Sequence, residues 1–211
     1  MKFLNYDSPV MQFLSRFGDF MLLNVLWIIC SLPIVTIGVS TSAYYYCMMK
    51  IVRDSDSGIL AMFFHSFKEN LKQGIVLTMI VIAIGAFLGL DFWACSRLEG
   101  QIFDIITVLI CAVVGLFVVA VVYVFPVLAQ FDNTIKNTIK NAFFMGVSHI
   151  GKTLLLVIIT ILPFAFVLLM PYYFLLSLPV WLFGGVSVIV YLKTRLFVKV
   201  FDQYIDQCVE Q

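Results

Sequence analysis

The 211 residues are 63% hydrophobic and 12% charged, with a mean hydropathy of +1.07; an average soluble domain is about half apolar and about a quarter charged. So few charges cannot coat a water-soluble fold of this length, which excludes a soluble enzyme or binding domain. The net charge of +1 gives no ground for a nucleic-acid partner.

The apolar residues fall in blocks of about 20, the length a helix needs to cross roughly 30 Å of hydrocarbon. The sequence therefore predicts an all-α, polytopic membrane helix bundle, a single domain over 1–211, with the lipid bilayer as its first partner. Positions 1–19 mix acids and bases before an apolar block of full membrane length, which predicts a retained span and not a cleaved signal. Five spans are expected, over 20–39, 74–96, 102–129, 153–176 and 179–201. The fourth holds Pro163 and Pro171, and a short link around Ser177 makes the last two an antiparallel hairpin.

Charge sets an orientation for five spans. Residues 40–73, 129–152 and 193–211 share one side and carry ten of the 13 basic residues, leaving Lys2, Arg16 and Arg97 opposite. By the positive-inside rule the N-terminus is expected outside and the C-terminus in the cytoplasm.

The segment from Cys30 to Ser42 interrupts the first block. Pro33 removes a helical hydrogen bond, and Ser31, Thr36 and the Ser40–Ser42 run can satisfy freed carbonyls. A helix is expected to kink or end here and resume over 43–53, either as a structural kink with a close contact at Gly38 or as a hinge.

Two loops carry helical patterns. Leu60, Phe64, Phe67 and Leu71 form one apolar stripe, and Ile135, Ile139 and Phe143 another. Helices over about 57–72 and 133–149 are expected at the inner membrane surface, lysines toward the headgroups. Phe63, Phe67, Lys68, Lys72, Lys136, Lys140 and Phe143 are then candidates for docking a cytoplasmic partner, with plain interfacial packing as the alternative. An offset of 80 superposes Phe63-Phe64 on Phe143-Phe144 and Lys72 on Lys152, as a unit used twice would.

Polar residues in spans are expensive and so mark candidate sites. Asp19, Asn24, Asp91 and Asp104 could form an outer polar pocket for a hydroxylated or cationic solute; alternatively these acids, with Asp7 and Glu99, pair with Arg16 and Arg97 at headgroup level. Catalytic and metal motifs are missing. His65 and His149 stand apart from any ligand spacing, and Cys30, Cys47, Cys95, Cys111 and Cys208 lack paired spacing. No enzyme activity, cofactor or metal is expected.

The string from Ser8 to Gly38, with Arg16-Phe17-Gly18-Asp19 and Cys30-Ser31-Leu32-Pro33, resembles the YesL-like family of bacterial membrane proteins. So do Lys50 to Asp54 and the later FFHSFKENLKQ and KNAF segments. The resemblance implies an accessory or regulatory subunit of a carbohydrate-uptake ABC transporter, with permease subunits as partners and a sugar as a possible ligand. It supplies no catalytic residues. A small carrier or channel for a neutral solute, or a membrane sensing module, are the competing readings.

Overall fold

The computed structural model describes residues 9–55, 57–98, 100–169, 179 and 181–209. Among these residues there are eight α-helices: α1 Pro9–Cys30, α2 Ile37–Val52, α3 Ile59–Glu69, α4 Leu71–Cys95, α5 Gln101–Gln130, α6 Ile135–Ser148, α7 Ile150–Leu169 and α8 Val186–Val209. A 3-10 turn, Ile34–Thr36, precedes α2, and a π-type turn, Trp181–Gly185, precedes α8. Gly184 in that turn has φ 152°, which a side chain would strain. The expected link around Ser177, with Pro171, lies outside the described residues, as do Lys2, Asp7 and Glu99.

All described elements are helical, and the apolar helices mark a membrane protein. Among the described residues α4 and α5 are each long and apolar enough to cross a bilayer; α6 and α7, bent by 101° at their junction, meet the same test only as a pair. None of the most apolar stretch of α5 is buried within the protein, as expected where lipid is the solvent.

The chain breaks where Pro33 stands. Helix α1 ends at Cys30, and Thr36 Oγ1 donates to the carbonyls of Cys30 (2.7 Å) and Pro33 (2.8 Å). The first expected span, 20–39, is therefore not one continuous helix. It contains the end of α1, a reversal and the start of α2, because the proline cannot continue the hydrogen-bond ladder.

Helices α1 and α2 form an antiparallel hairpin. Trp27 Nε1 donates to Thr41 Oγ1 at 3.1 Å near the turn, and Arg16 pairs with Asp54 at 3.0 Å at the open end. Arg16, expected opposite the 40–73 loop, lies beside that loop's residue Asp54.

A polar belt extends the same end. Arg53 donates to Gln130 Oε1 (3.0 Å) and Asp202 Oδ1 (2.7 Å), and His149 Nε2 meets Gln203 Oε1 at 3.0 Å. The ends of α2, α5 and α8 and the α6–α7 junction are thus gathered together.

The core is built around α2. Gly38 lets α4 and α5 approach so closely that a Cβ would collide with Thr78 and the Phe125 ring, and Gly74 meets Val39 in the same manner. Above this crossing Tyr45, Tyr123, Phe197 and Phe201 fill the interior, with Tyr45 and Tyr123 edge-on to Phe197. Such aromatic pairs add about 0.5–1.5 kcal/mol beyond area burial.

The 80-residue offset has a structural counterpart. It lays buried Tyr44, Cys47 and Met48 on buried Val124, Val127 and Leu128, and buried Met62 and Ser66 on buried Ala142 and Gly146. In both halves a short helix runs through a one-residue junction, Asn70 or His149, into a long one. Thr153 ties the second junction: its hydroxyl donates to the Gly146 (2.7 Å) and His149 (3.1 Å) carbonyls and accepts from Tyr123 at 3.1 Å.

Candidate functional site

Helices α1, α2, α7 and α8 enclose a partly open cavity of about 380 Å³ lined by Trp27, Tyr44, Tyr45, Pro163, Trp181 and Lys193, with Thr41, Thr160, Val186, Ile189 and Val190 between them. Its walls are held by hydrogen bonds between distant parts of the chain. Tyr44 donates to Ser187 Oγ (2.6 Å), which donates to the Phe20 carbonyl (2.7 Å), so α2, α8 and α1 are locked together. Asn24 Nδ2 donates to the Trp181 carbonyl at 2.8 Å and fixes the turn that enters α8.

Most polar groups in the wall are engaged internally. Thr41 donates to the Ile37 carbonyl while accepting from Trp27, and Thr160 donates to the Leu156 carbonyl. Lys193 differs. Its ammonium lies 5.9 Å from the Tyr45 ring centroid and pairs with no carboxylate among the described residues. Lys193 is half-buried, and a cation–π contact contributes about 0.5–2 kcal/mol, less than an ammonium loses on leaving water in full.

The expected outer pocket is not assembled. Asn24 is fully buried on α1 and serves Trp181; Asp19 lies one turn from Arg16, toward the end where Arg16 meets Asp54. Asp91 and Asp104 flank the α4–α5 turn, the one half-buried and the other exposed. The four belong to different places. A membrane asparagine reads as a site by default, but its cost here is met by a backbone carbonyl at an irregular turn.

The docking candidates separate in a similar way. Phe63 is fully buried in the core, so it cannot present itself to a partner. The face of α3 that packs inward is Ile59, Met62, Phe63 and Ser66, while the predicted stripe at Leu60, Phe64 and Leu71 faces outward. Phe67 stacks on Phe63 and is half-buried. Lys68, Lys72, Lys136 and Lys140 are exposed, as is Phe143; Lys140 lies 5.9 Å from the Phe144 ring centroid. Helix α6 packs inward through Thr138, Ala142, Met145 and Gly146. Helix α3 is apolar on two faces, and periodicity alone identified the outer one; on α6 the predicted Ile135 and Ile139 pack against the core while Phe143 faces outward.

Among the described residues no group of His, Cys, Asp and Glu side chains is arranged to hold a metal, and Cys30, Cys47, Cys95 and Cys111 are free thiols. Sequence reasoning missed the cavity. Its signal is Lys193, a basic residue within the last expected span, 179–201.

These features define a class: an all-α membrane bundle with an aromatic cavity and a basic, polar-belted end. Residues 20–92 match the family model described as "Protein of unknown function, DUF624". The chain is similar to "Uncharacterized protein YesL" of Bacillus subtilis (strain 168), 30% identical over 138 residues. That match takes in 64% of this chain and 65% of the relative's length. Both comparisons make the chain similar to the YesL-like family, and neither match carries an assigned activity. No solved structure matches it.

Proposed function

We propose that the protein is a non-enzymatic accessory subunit that associates, laterally in a bacterial cell membrane, with the permease of a carbohydrate-uptake ABC transporter. One observation supports the lateral association. The α4–α5 hairpin leaves the packed core and carries an apolar groove of about 420 Å³ lined by Gly85, Leu88, Gly89, Phe92, Cys111, Val114, Phe117 and Val118. Gly85 and Gly89 are four residues apart, and a Cβ at Gly89 would meet nothing within 4 Å. Small residues at this spacing let a second transmembrane helix approach closely, which is how helices associate where lipid removes the hydrophobic drive. The carbohydrate-uptake part rests on the family resemblance.

The reading includes six crossings, by α1, α2, α4, α5, α7 and α8, with α3 and α6 near the inner surface. The hairpin of α1 on α2 supports the added crossing, since it returns the chain to the end where it began. The start of α1 and the end of α8 are then both cytoplasmic, and Arg97 in the α4–α5 turn is the described basic residue left on the outer side.

Purification from native membranes in mild detergent, followed by mass spectrometry, tests the association. A sugar-transport permease should co-purify, and Gly89→Leu should remove it. Recovery of the same permease with Gly89→Leu, or of no permease with the unaltered chain, overturns the reading.

A further inference from the structure

The cavity between α1, α2, α7 and α8 holds one basic group in an otherwise aromatic and aliphatic wall. We infer that it binds an amphiphile with a single anionic head, the carboxylate or phosphate on Lys193 and the apolar body against Trp27, Trp181, Pro163 and Ile189.

Chemistry selects this class of ligand. A sugar needs many hydrogen-bond partners, but Trp27, Thr41, Tyr44 and Thr160 are already engaged within the protein. What remains is the Lys193 ammonium and the Tyr45 hydroxyl, which makes no hydrogen bond among the described residues. Both are donors, and both suit an anion. The ammonium is costly in such surroundings unless an opposite charge joins it, and a cationic ligand would add to that cost. A volume of about 380 Å³ lies within the roughly 300–1,000 Å³ of small-molecule sites, enough for part of one acyl chain and too little for a two-chain lipid in full. A bilayer lipid could seat one chain there; a free fatty acid could seat its only chain. The inference is independent of the permease association.

The test uses the full chain in phosphatidylcholine nanodiscs, in a Trp93→Phe background, so that fluorescence reports Trp27 and Trp181. Three bromine-labelled quenchers are titrated: a long-chain fatty acid, the corresponding fatty alcohol, and a phosphatidylglycerol. Saturable quenching by the fatty acid is expected, with affinity about ten-fold lower in Lys193→Gln and largely retained in Lys193→Arg, as for loss of a charge-assisted hydrogen bond. Saturation by phosphatidylglycerol as well would assign a bilayer lipid; saturation by the fatty acid alone would assign a free amphiphile. Ile189→Phe, which fills the cavity and keeps the charge, should remove the saturable component and serves if Lys193→Gln does not fold. Equal quenching by acid and alcohol, or saturable binding unchanged in Lys193→Gln and in Ile189→Phe, overturns the inference.

Discussion

Arg53, at the end of α2, donates to Asp202 on α8 at 2.7 Å while its other nitrogen holds Gln130 on α5. The guanidinium therefore ties three helices at one end of the bundle, with its planar fork satisfying two acceptors in different directions. The pair is partly exposed, so its stabilisation is intermediate between a surface and a buried ion pair.

Replacing Arg53 by Ala should lower stability by about 1–2 kcal/mol, and Asp202→Asn by less, since the amide still accepts a hydrogen bond. Thermal unfolding in detergent of both single variants and the double variant gives the coupling. A coupling near zero would show that the two side chains do not act together.

Gly38 and Gly18 make opposite predictions. Nothing lies within 4 Å of a Cβ at Gly18, whereas at Gly38 Thr78 and Phe125 occupy the space. Gly18→Ala should stabilise α1 by a few tenths to about 1 kcal/mol through helix propensity. Gly38→Ala should cost about 1–3 kcal/mol through overpacking. Melting temperatures moving in the same direction for both would contradict the close approach of α2 to α4 and α5.

Thr153 joins three oxygens across the α6–α7 bend. Thr153→Val keeps the shape and removes the hydroxyl, leaving the Gly146 carbonyl and the Tyr123 hydroxyl short of a partner. A loss of about 1–3 kcal/mol is expected, with faster amide exchange at residues 146–153 as its local signature. Unchanged exchange there would argue that the bend is held by packing alone.

The hairpin of α1 on α2 predicts sidedness. In a cysteine-free background, Ser15→Cys and Ser55→Cys should react with an impermeant thiol reagent from one side of the membrane, and Ser96→Cys from the other; all three positions are exposed. Labelling of Ser15→Cys and Ser55→Cys from opposite sides would restore the five-span arrangement.

Asn24 and Asp91 separate structural from solute-binding roles. Asn24→Leu should cost about 1–3 kcal/mol by removing the amide that donates to the Trp181 carbonyl. Asp91→Ala and Asp104→Ala should stay within about 0.5 kcal/mol of the parent, as surface changes do. A large destabilisation at Asp91 would point to a partner it does not have among the described residues.

Local chemistry was enough for part of this protein. Blocks of apolar residues about one bilayer long mark α4 and α5, because lipid leaves no other way to satisfy the backbone. Pro33 ends a helix because it lacks an N–H, and Gly38 announces a close contact because it lacks a Cβ. Tertiary structure decided the rest. Whether the chain bends slightly or reverses at Pro33 depends on what α2 packs against, and a pair 38 residues apart, Arg16 with Asp54, records the answer. Phe63 and Phe64 are neighbours in sequence, yet one is core and the other faces outward, because α3 is apolar on both faces and periodicity cannot rank them. Asn24 reads as a solute ligand until Trp181, 157 residues away, takes its hydrogen bond. The cavity was illegible for the same reason: its aromatic residues and Lys193 come from three helices and a turn, and only packing brings a lone cation among them.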